Sequence, residues 1–381
     1  MTVQEKEYRM LMRKALEERK PFRPMENGVP VTGAWHRIPM PDRMCANGEE
    51  YCLYLKKGSS RNTIIYLIGG GLMWNEKTAG YPSTPATLFS GNPCLYTSEV
   101  SPANDYWFFA LRPQNGILSM DERNPFRDWN IGMINYGTGD FHLGQRDFEI
   151  EDEQGNRKTV HCQGLKNLHA CMQIFTKYFP EPEKILIAGE SAGGFAVPGA
   201  ADEILSYYPD CQDITLYTDS SIALRDDRKR IAEDLWNIPK YLADGIYGKD
   251  IVADWYERFL AAHKGKNEKL RCLFSCGKRD VDLARFGNYM EGGAFEVTEK
   301  AMASFPGLLA EQHERLSALT SEFGFYYHDF PDESGRGSQH ITLSFPTFLE
   351  GKEEGISPAQ WLQEAIDGRI RTVGLSNLED F

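Results

Sequence analysis

The chain lacks the features of a membrane-spanning or nucleic-acid-binding protein. None of its apolar runs approaches the roughly twenty residues that a transmembrane helix needs, so no membrane partner is expected. Lysine and arginine form no basic run and the formal net charge is −13, which argues against a surface for nucleic acid. The acidic balance instead favours solubility.

The sequence also shows neither the pattern of a signal peptide nor a cysteine pair of the kind that binds a metal. The first twenty residues are densely charged, with apolar residues at helical spacing, so they contain no uninterrupted apolar segment of the kind that directs secretion. None of the eight cysteines stands in a C-x-x-C pair. We interpret the cysteines as reduced, mostly buried thiols, and we expect a cytoplasmic protein without a metal or an organic cofactor.

Phosphate-binding loops and repeats are also absent. The chain has neither G-x-G-x-x-G nor G-x-x-x-x-G-K-[ST], so the glycine run 69–71 is not predicted to hold a phosphate group. There is no internal repeat and no low-complexity segment. A chain of 381 residues is nevertheless long enough to bury a sizeable core in one or more domains.

What the sequence does contain is an alternation of apolar strands and amphipathic helices. Helices are predicted over 164–179 and 308–323. The predicted strands, after two near the start of the chain, are 63–68, 131–136, 184–188, 214–218, 270–276 and 324–330. This alternation predicts an α/β fold with a doubly wound, mostly parallel sheet.

The same pattern suggests a division of the chain. Residues 1–32 are predicted to be an N-terminal helical extension, and the ranges 33–221 and 269–381 to form the α/β core. Residues 222–268 are charged, rich in aromatic residues and helical in pattern, and they stand between two strands. We interpret this last segment as a helical, cap-like insertion.

Gly189-Glu190-Ser191-Ala192-Gly193 matches G-x-S-x-G, the nucleophile elbow of the α/β-hydrolase fold. In that motif a sharp turn between a strand and a helix holds the serine hydroxyl in an exposed position. An apolar strand precedes the motif here and a helix start rich in small residues follows it, as the elbow requires. Ser191 is therefore the predicted nucleophile; the alternative is a glycine-rich turn with an incidental serine.

A nucleophilic serine needs a histidine base, which in this fold comes last along the chain, after the acid. Four histidines lie downstream of the motif: His263, His313, His328 and His340. His263 precedes the strand expected to carry the acid, His313 lies within a helix and His328 within a strand. His340 lies in the loop DESGRGSQH after the last strand, and it is the predicted base.

The acid should follow the strand before that loop. Strand 270–276 runs into Gly277-Lys278-Arg279-Asp280-Val281-Asp282, and the G-x-x-D turn favours Asp280, with Asp282 as the alternative. Asp219 also ends a strand, but its position directly after the β-α unit of the nucleophile suits a wall of the substrate pocket better.

An oxyanion hole requires backbone N–H donors, one from the residue after the nucleophile and others from a glycine-rich loop. Ala192 follows Ser191, and Gly69-Gly70-Gly71-Leu72 follows the first long apolar strand. The predicted donors are therefore the amides of Gly71, Leu72 and Ala192.

Five pieces of sequence together resemble the pectin acetylesterase family over roughly residues 60–345. They are Gly69-Gly70-Gly71 with Trp74, Asn124-Pro125-Phe126-x-x-Trp129-Asn130, Tyr136-x-x-x-Asp140-x-His142-x-Gly144, Gly189-x-Ser191-Ala192-Gly193-Gly194 and Asp219-Ser220. The resemblance implies a Ser-Asp-His carboxylesterase that removes small acyl groups, typically O-acetyl groups of sugars, without a metal or an organic cofactor.

The resemblance also extends the expected site. Trp74 is predicted to be a pocket wall that stacks on a sugar or acyl face, with Asp140 and His142 as further pocket residues. The cysteines that this family usually has after the glycine-rich loop and after the strand tyrosine are replaced by Leu72-Met73-Trp74 and by Gly137. Their loss fits a reducing compartment.

The leading hypothesis is thus a serine esterase for small acyl esters, acetyl esters above all, with a small molecule or an oligosaccharide carrying the ester. One alternative is a peptidase or amidase that uses the same residues. Another is a non-catalytic binding module on a hydrolase fold, although such modules usually lack the nucleophile or the base, and here every role has a candidate.

Overall fold

A computed structural model describes most of the chain, in the ranges 23–83, 93–100, 115–151, 155–266 and 269–378. Residues 1–22, the larger part of the predicted helical extension, lie outside these ranges. The remainder of that segment is not helical: it includes a bridge between Glu26 and Val29. No helix in the described ranges is long and apolar enough to cross a membrane.

A nine-stranded sheet lies at the centre of the described residues. In chain order its strands are β1 (Trp35–Met44), β2 (Glu50–Lys56), β3 (Thr63–Leu67), β4 (Asn130–Ile134), β5 (Ile185–Glu190), β6 (Asp213–Asp219), β7 (Lys269–Gly277), β8 (Phe323–His328) and β9 (Thr372–Val373). The spatial order is β1-β2-β4-β3-β5-β6-β7-β8-β9. β2 is antiparallel to both of its neighbours, and every pair from β4 to β9 is parallel. This confirms the predicted, mostly parallel α/β-hydrolase sheet.

Helices cover the sheet and connect its strands. The long ones are α1 (Gly164–Tyr178), α2 (Ala192–Leu205), α3 (Ile251–His263), α4 (Val281–Met290), α5 (Glu299–Ser317) and α6 (Pro358–Ile366). Short helical segments are Glu76–Ala79, Gly116–Leu118, Arg228–Arg230, Ile231–Trp236, Lys240–Asp244, Thr347–Glu350 and Leu375–Leu378. Two small sheets pair Pro82–Ser83 with Tyr96–Thr97, and Arg146–Glu151 with Arg157–Cys162.

The central strands are apolar runs because both of their faces are covered. Every residue of β3, β4 and β5 is buried, as expected for parallel strands with helices on both sides. All eight cysteines lie in the described ranges as thiols rather than disulfides, and seven of them are buried.

One helix differs from the prediction. The sequence predicted a helix over 308–323, whereas α5 runs from Glu299 to Ser317. Thr298 caps its start by accepting the Ala301 amide, and Pro306 lies inside the helix. The proline and the following glycine interrupt the periodic pattern, which is why the first half of α5 was not visible in the sequence.

Residues 222–268, predicted as a cap-like insertion, contain short helical segments followed by α3. α3 connects β6 to β7 and packs against α2, with a Cβ at Gly199 of α2 coming within 2.9 Å of the Trp255 ring of α3. α3 is thus a crossover helix of the sheet. The domain boundaries themselves stay predictions.

We expect Gly193→Ala to destabilise the protein by about 2 kcal/mol or more, because overpacking against fixed backbone is costly. A Cβ at Gly193 would lie 2.0 Å from the carbonyl oxygen of Leu67 in β3. The free energy of unfolding in urea measures the effect. The control is Gly307→Ala in α5, where a Cβ would meet no atom within 4 Å, and where alanine should stabilise by about 1 kcal/mol. Equal stability of the two variants would contradict the close approach of α2 to β3.

Candidate active site

Ser191 occupies the turn between β5 and α2. Its φ is 52° and its ψ −124°, a region that residues other than glycine rarely adopt. Two hydrogen bonds fix this backbone: the Ser191 amide donates to the Asp219 carbonyl oxygen at 2.8 Å, and the Ser221 hydroxyl donates to the Ser191 carbonyl oxygen at 2.7 Å. The turn leaves Ser191 at the wall of a cavity.

Asp280 and His340 meet at the same edge of the sheet, after β7 and β8. His340 Nδ1 lies 2.8 Å from Asp280 Oδ2 and 3.0 Å from Oδ1. Asp280 is completely buried, and its Oδ1 also accepts the amides of Asp282 and Leu283 as the N-cap of α4. Because a carboxylate only accepts, Nδ1 carries the proton and Nε2 is left as the basic nitrogen.

The environment of His340 favours its protonated form. Burial by itself lowers the pKa of the imidazole, but the charge of Asp280 and its hydrogen bond outweigh burial, so that the net shift of the His340 pKa is upward. A group that must accept a proton from a serine in the transition state benefits from such stabilisation of the imidazolium.

The alternative acid and the other histidines lie elsewhere. Asp282 forms an ion pair with Arg285 on the surface of α4. The remaining histidines have partners of their own: His263 contacts Asp202, His313 contacts the Tyr327 hydroxyl, and His328 is buried beside Phe330. Burial lowers the pKa of His328 to about 3.

Two of the three predicted oxyanion donors remain available. The Leu72 amide donates to the Leu95 carbonyl oxygen at 2.8 Å, so the prediction of Leu72 as a donor is wrong. Within the described ranges the amides of Gly71 and Ala192 have no acceptor, and both residues line the cavity beside Ser191. Ala192 opens α2, where an amide lacks an intrahelical partner, and Gly71 adopts a φ of 77°.

His142 supports the glycine-rich loop, and Asp140 lies two residues before His142 in the same turn. His142 Nε2 donates to the carbonyl oxygen of Ile68, the residue directly before the glycine run, at 2.9 Å. Burial lowers the pKa of His142 to about 4, so the ring is neutral. Burial raises the pKa of Asp140 to about 6, and its carboxylate accepts the Thr138 hydroxyl and the Gly164 amide. Both residues are buried and neither lines the cavity, which corrects the prediction that they are pocket residues.

Trp74 and Asp219 also lie outside the cavity lining, contrary to prediction. Trp74 is only 6% exposed and packs edge-on against Tyr289 of α4, with ring centroids 5.8 Å apart. Asp219 is completely buried at the end of β6. The sequence placed both residues near the site, but their orientation depends on packing partners distant in the chain.

The cavity beside Ser191 is predominantly apolar. Its empty volume, which includes space open to solvent, is about 980 Å³. Phe141 and Phe195 stack in parallel on one side, 4.7 Å between centroids. A second part of the lining comes from the 283–308 segment, including Leu283, Phe286 and Phe305.

Sequence analysis missed this second part of the lining. The segment showed only an amphipathic pattern, which any surface helix shares. The one available signal was its position, because residues that directly follow the acid must pass close to the histidine and the serine. Polar residues, among them Arg225, Lys300 and Ser304, add to the lining.

Sheet topology, the turn at Ser191 and the hydrogen-bonded Asp280–His340 pair define the class: this is an α/β-hydrolase-fold protein of the serine hydrolase type. A family model described as pectinacetylesterase matches residues 38–235, more than half of the chain of 381 residues. The chain therefore belongs to the pectinacetylesterase family, which confirms the resemblance seen in the sequence. As a member of this family it is a carboxylic ester hydrolase.

Among solved structures, the chain is similar to the Wnt deacylase Notum from Drosophila. The two share 17% sequence identity with a TM-score of 0.57, over 87% of this chain and 92% of that one. At this identity the likeness shows a common fold. No match was found among curated proteins. The family match ends before Asp280 and His340, so these two assignments depend on the geometry described above.

We expect kcat/KM for an ester to rise with pH through the ionisation of His340, because only the neutral imidazole accepts a proton. Asp280 raises this pKa, so the midpoint should lie above the value of about 6.5 of an ordinary histidine. Asp280→Asn should lower kcat by about 10⁴-fold through the wrong tautomer. The surface variant Asp282→Asn is the control and should keep the wild-type kcat, although loss of its charge, which also raises the His340 pKa, should lower the midpoint. A wild-type midpoint below about 6.5 would contradict the assignment.

Proposed function

We propose that the chain hydrolyses carboxylic esters through an acyl-enzyme, with Ser191 as nucleophile, His340 as general base and Asp280 as the carboxylate that orients His340. The observation that carries this proposal is the pair of the buried Asp280 and the half-buried His340, with His340 Nδ1 2.8 Å from the carboxylate, at the sheet edge where Ser191 lies on its strained turn. A nucleophile, a base and an orienting group at one edge form the constellation that acyl transfer requires.

In the proposed reaction the Ser191 hydroxyl attacks the ester carbonyl carbon while Nε2 of His340 takes its proton. The amides of Ala192 and Gly71 donate to the oxyanion that develops. His340 then returns the proton to the leaving alcohol, and the acyl group stays on Ser191. Water, activated by His340 in the same way, releases the acid and restores the serine.

The apolar cavity supports a proposal about the acyl group. Acetyl is the expectation from sequence, yet the cavity beside Ser191 is lined mainly by aromatic and aliphatic side chains, which suit a longer apolar chain. We extend the proposal to acyl chains of several carbons, which would bury against Phe195 and Phe305. We propose that the alcohol portion of the ester is a small molecule or a sugar. We also propose that the protein acts in the reducing cytoplasm.

Ser191→Ala should remove esterase activity and keep the fold. Turnover of p-nitrophenyl acetate should fall below about a thousandth of wild type, since loss of a triad member costs at least that much. Labelling by a fluorophosphonate probe should disappear in parallel. Ser317→Ala, at the far end of α5, is the control and should change neither readout. Substantial turnover by Ser191→Ala would disprove the nucleophile, and a parallel anilide panel would reveal amidase activity.

Filling the cavity should shorten the preferred acyl chain. Ala301 of α5 lines the cavity, whereas Ala303 on the same helix is exposed and does not. Ala301→Phe should lower kcat/KM for p-nitrophenyl octanoate by about tenfold or more and spare the acetate, because the added ring occupies space needed by the longer chain. Ala303→Phe should leave the chain-length profile of wild type. Equal losses for acetate and octanoate in Ala301→Phe would contradict the acyl assignment.

A further inference from the structure

Asp219 has partners that neither a substrate nor the proposed triad accounts for. It ends β6, the strand beside β5, and its carboxylate is completely buried. Oδ1 accepts the Ser275 hydroxyl at 2.6 Å, and Oδ2 accepts the amides of Thr342 and Leu343 at 2.6 and 2.8 Å. Those two amides belong to the turn that directly follows His340.

The same strand end also holds the nucleophile. The carbonyl oxygen of Asp219 accepts the Ser191 amide. Ser220 Oγ accepts the Ile341 amide at 3.0 Å, and the Ser221 hydroxyl donates to the Ser191 carbonyl oxygen. Three consecutive residues thus bind the turn of the nucleophile on one side and the turn of the base on the other.

Both turns are strained and need such support. Ile341 has a φ of 56° and Ser220 one of 53°, close to the 52° of Ser191. A β-branched side chain in the left-handed region is a marked outlier. Such conformations persist only where surrounding bonds over-determine them. Without the Asp219 carboxylate, Thr342 and Leu343 would lose their acceptor, and the turn could relax toward an ordinary conformation.

We propose that Asp219, with Ser220 beside it, is a positioning residue that holds the strained turn of His340 in register with Ser191. The inference rests on the proposed function of these two residues. Asp219 does not line the cavity, so its effect passes through His340 and Ser191 and not through the substrate. It therefore belongs to the turnover step rather than to substrate binding.

The negative charge of Asp219 also supports His340, because it stabilises the protonated imidazole. Its carboxylate accepts hydrogen bonds from Ser275, Thr342 and Leu343, so the ionised form satisfies all of these donors. Burial raises the pKa of Asp219 to about 6. Together with Asp280 and Asp282, Asp219 is one of the carboxylates that raise the pKa of His340. Removal of this charge should therefore destabilise the imidazolium.

Two substitutions at Asp219 separate hydrogen bonding from charge. Asp219→Ala removes both and should lower kcat by about 100-fold with KM nearly unchanged, since small misplacements at a reaction centre cost that much. Asp219→Asn can still accept the Thr342 and Leu343 amides and donate to Ser275, so it should restore most of the lost kcat. Its pH midpoint should nevertheless move below that of wild type, a change that a purely structural role would not cause.

Asp213 supplies a matched control at the other end of the same strand. Its carboxylate pairs with Arg271 at 2.6 Å, far along β6 from the site. Asp213→Ala should lower the melting temperature and keep kcat. If Asp219→Ala does not fold, Ser220→Ala carries the test: it removes only the acceptor of the Ile341 amide and should lower kcat with KM unchanged.

The readouts are steady-state hydrolysis of p-nitrophenyl esters, the rate of fluorophosphonate labelling at Ser191, and the melting temperature. A folded Asp219→Ala with wild-type kcat overturns the proposal, as does an Asp219→Asn that folds yet is as inactive as the alanine variant. If Asp219→Ala does not fold, a wild-type kcat in Ser220→Ala overturns the proposal instead. Absence of hydrolysis and labelling in wild type is a different result: it rejects the proposed function before any variant is measured.

Discussion

The backbone of Ser191, with a φ of 52°, is the constraint on which the rest of the site depends. A serine at such a conformation is unfavourable by itself and requires that surrounding structure fix it. β5 fixes the backbone before Ser191, and α2 fixes the backbone after it. Residues at the end of β6 make the two hydrogen bonds that hold the turn. The close contact of Gly193 with Leu67 lets α2 start at this angle. The sheet and α2 together thus hold the Ser191 hydroxyl in its exposed position.

Three buried carboxylates stabilise the segments around this turn by accepting their hydrogen bonds. Asp140, Asp219 and Asp280 are each completely buried, which is costly unless donors surround the carboxylate. Each is satisfied by backbone amides or hydroxyls from a different loop. As a result, the start of α1, the histidine turn and the start of α4 are each fixed by one of these carboxylates, and of the three only Asp280 contacts the imidazole.

Turnover and specificity come from different parts of the chain. The catalytic candidates lie at the carboxyl ends of parallel strands, where an α/β sheet gathers residues that are distant in sequence. Part of the cavity wall comes from α4 and α5, which follow the acid and lie outside the matched part of the family model. Changes in these two helices can alter the acyl group that fits while the strand ends remain as they are.

The sequence alone predicted the parallel sheet and the turn at Ser191, because the spacing of apolar residues and of glycines is a local property. Position after a strand also selected Asp280 and His340, which the structure brings within hydrogen-bond distance and whose catalytic roles stay a proposal. The sequence analysis was wrong about Leu72, Trp74, Asp140, His142 and Asp219, and it missed the first half of α5. Each of those depends on a partner remote in the chain: Leu95 occupies the Leu72 amide, Tyr289 packs on Trp74, and Thr342 turns Asp219 away from the cavity. Local pattern therefore determined which residues stand at the strand ends, whereas only tertiary contact decided what each of them faces.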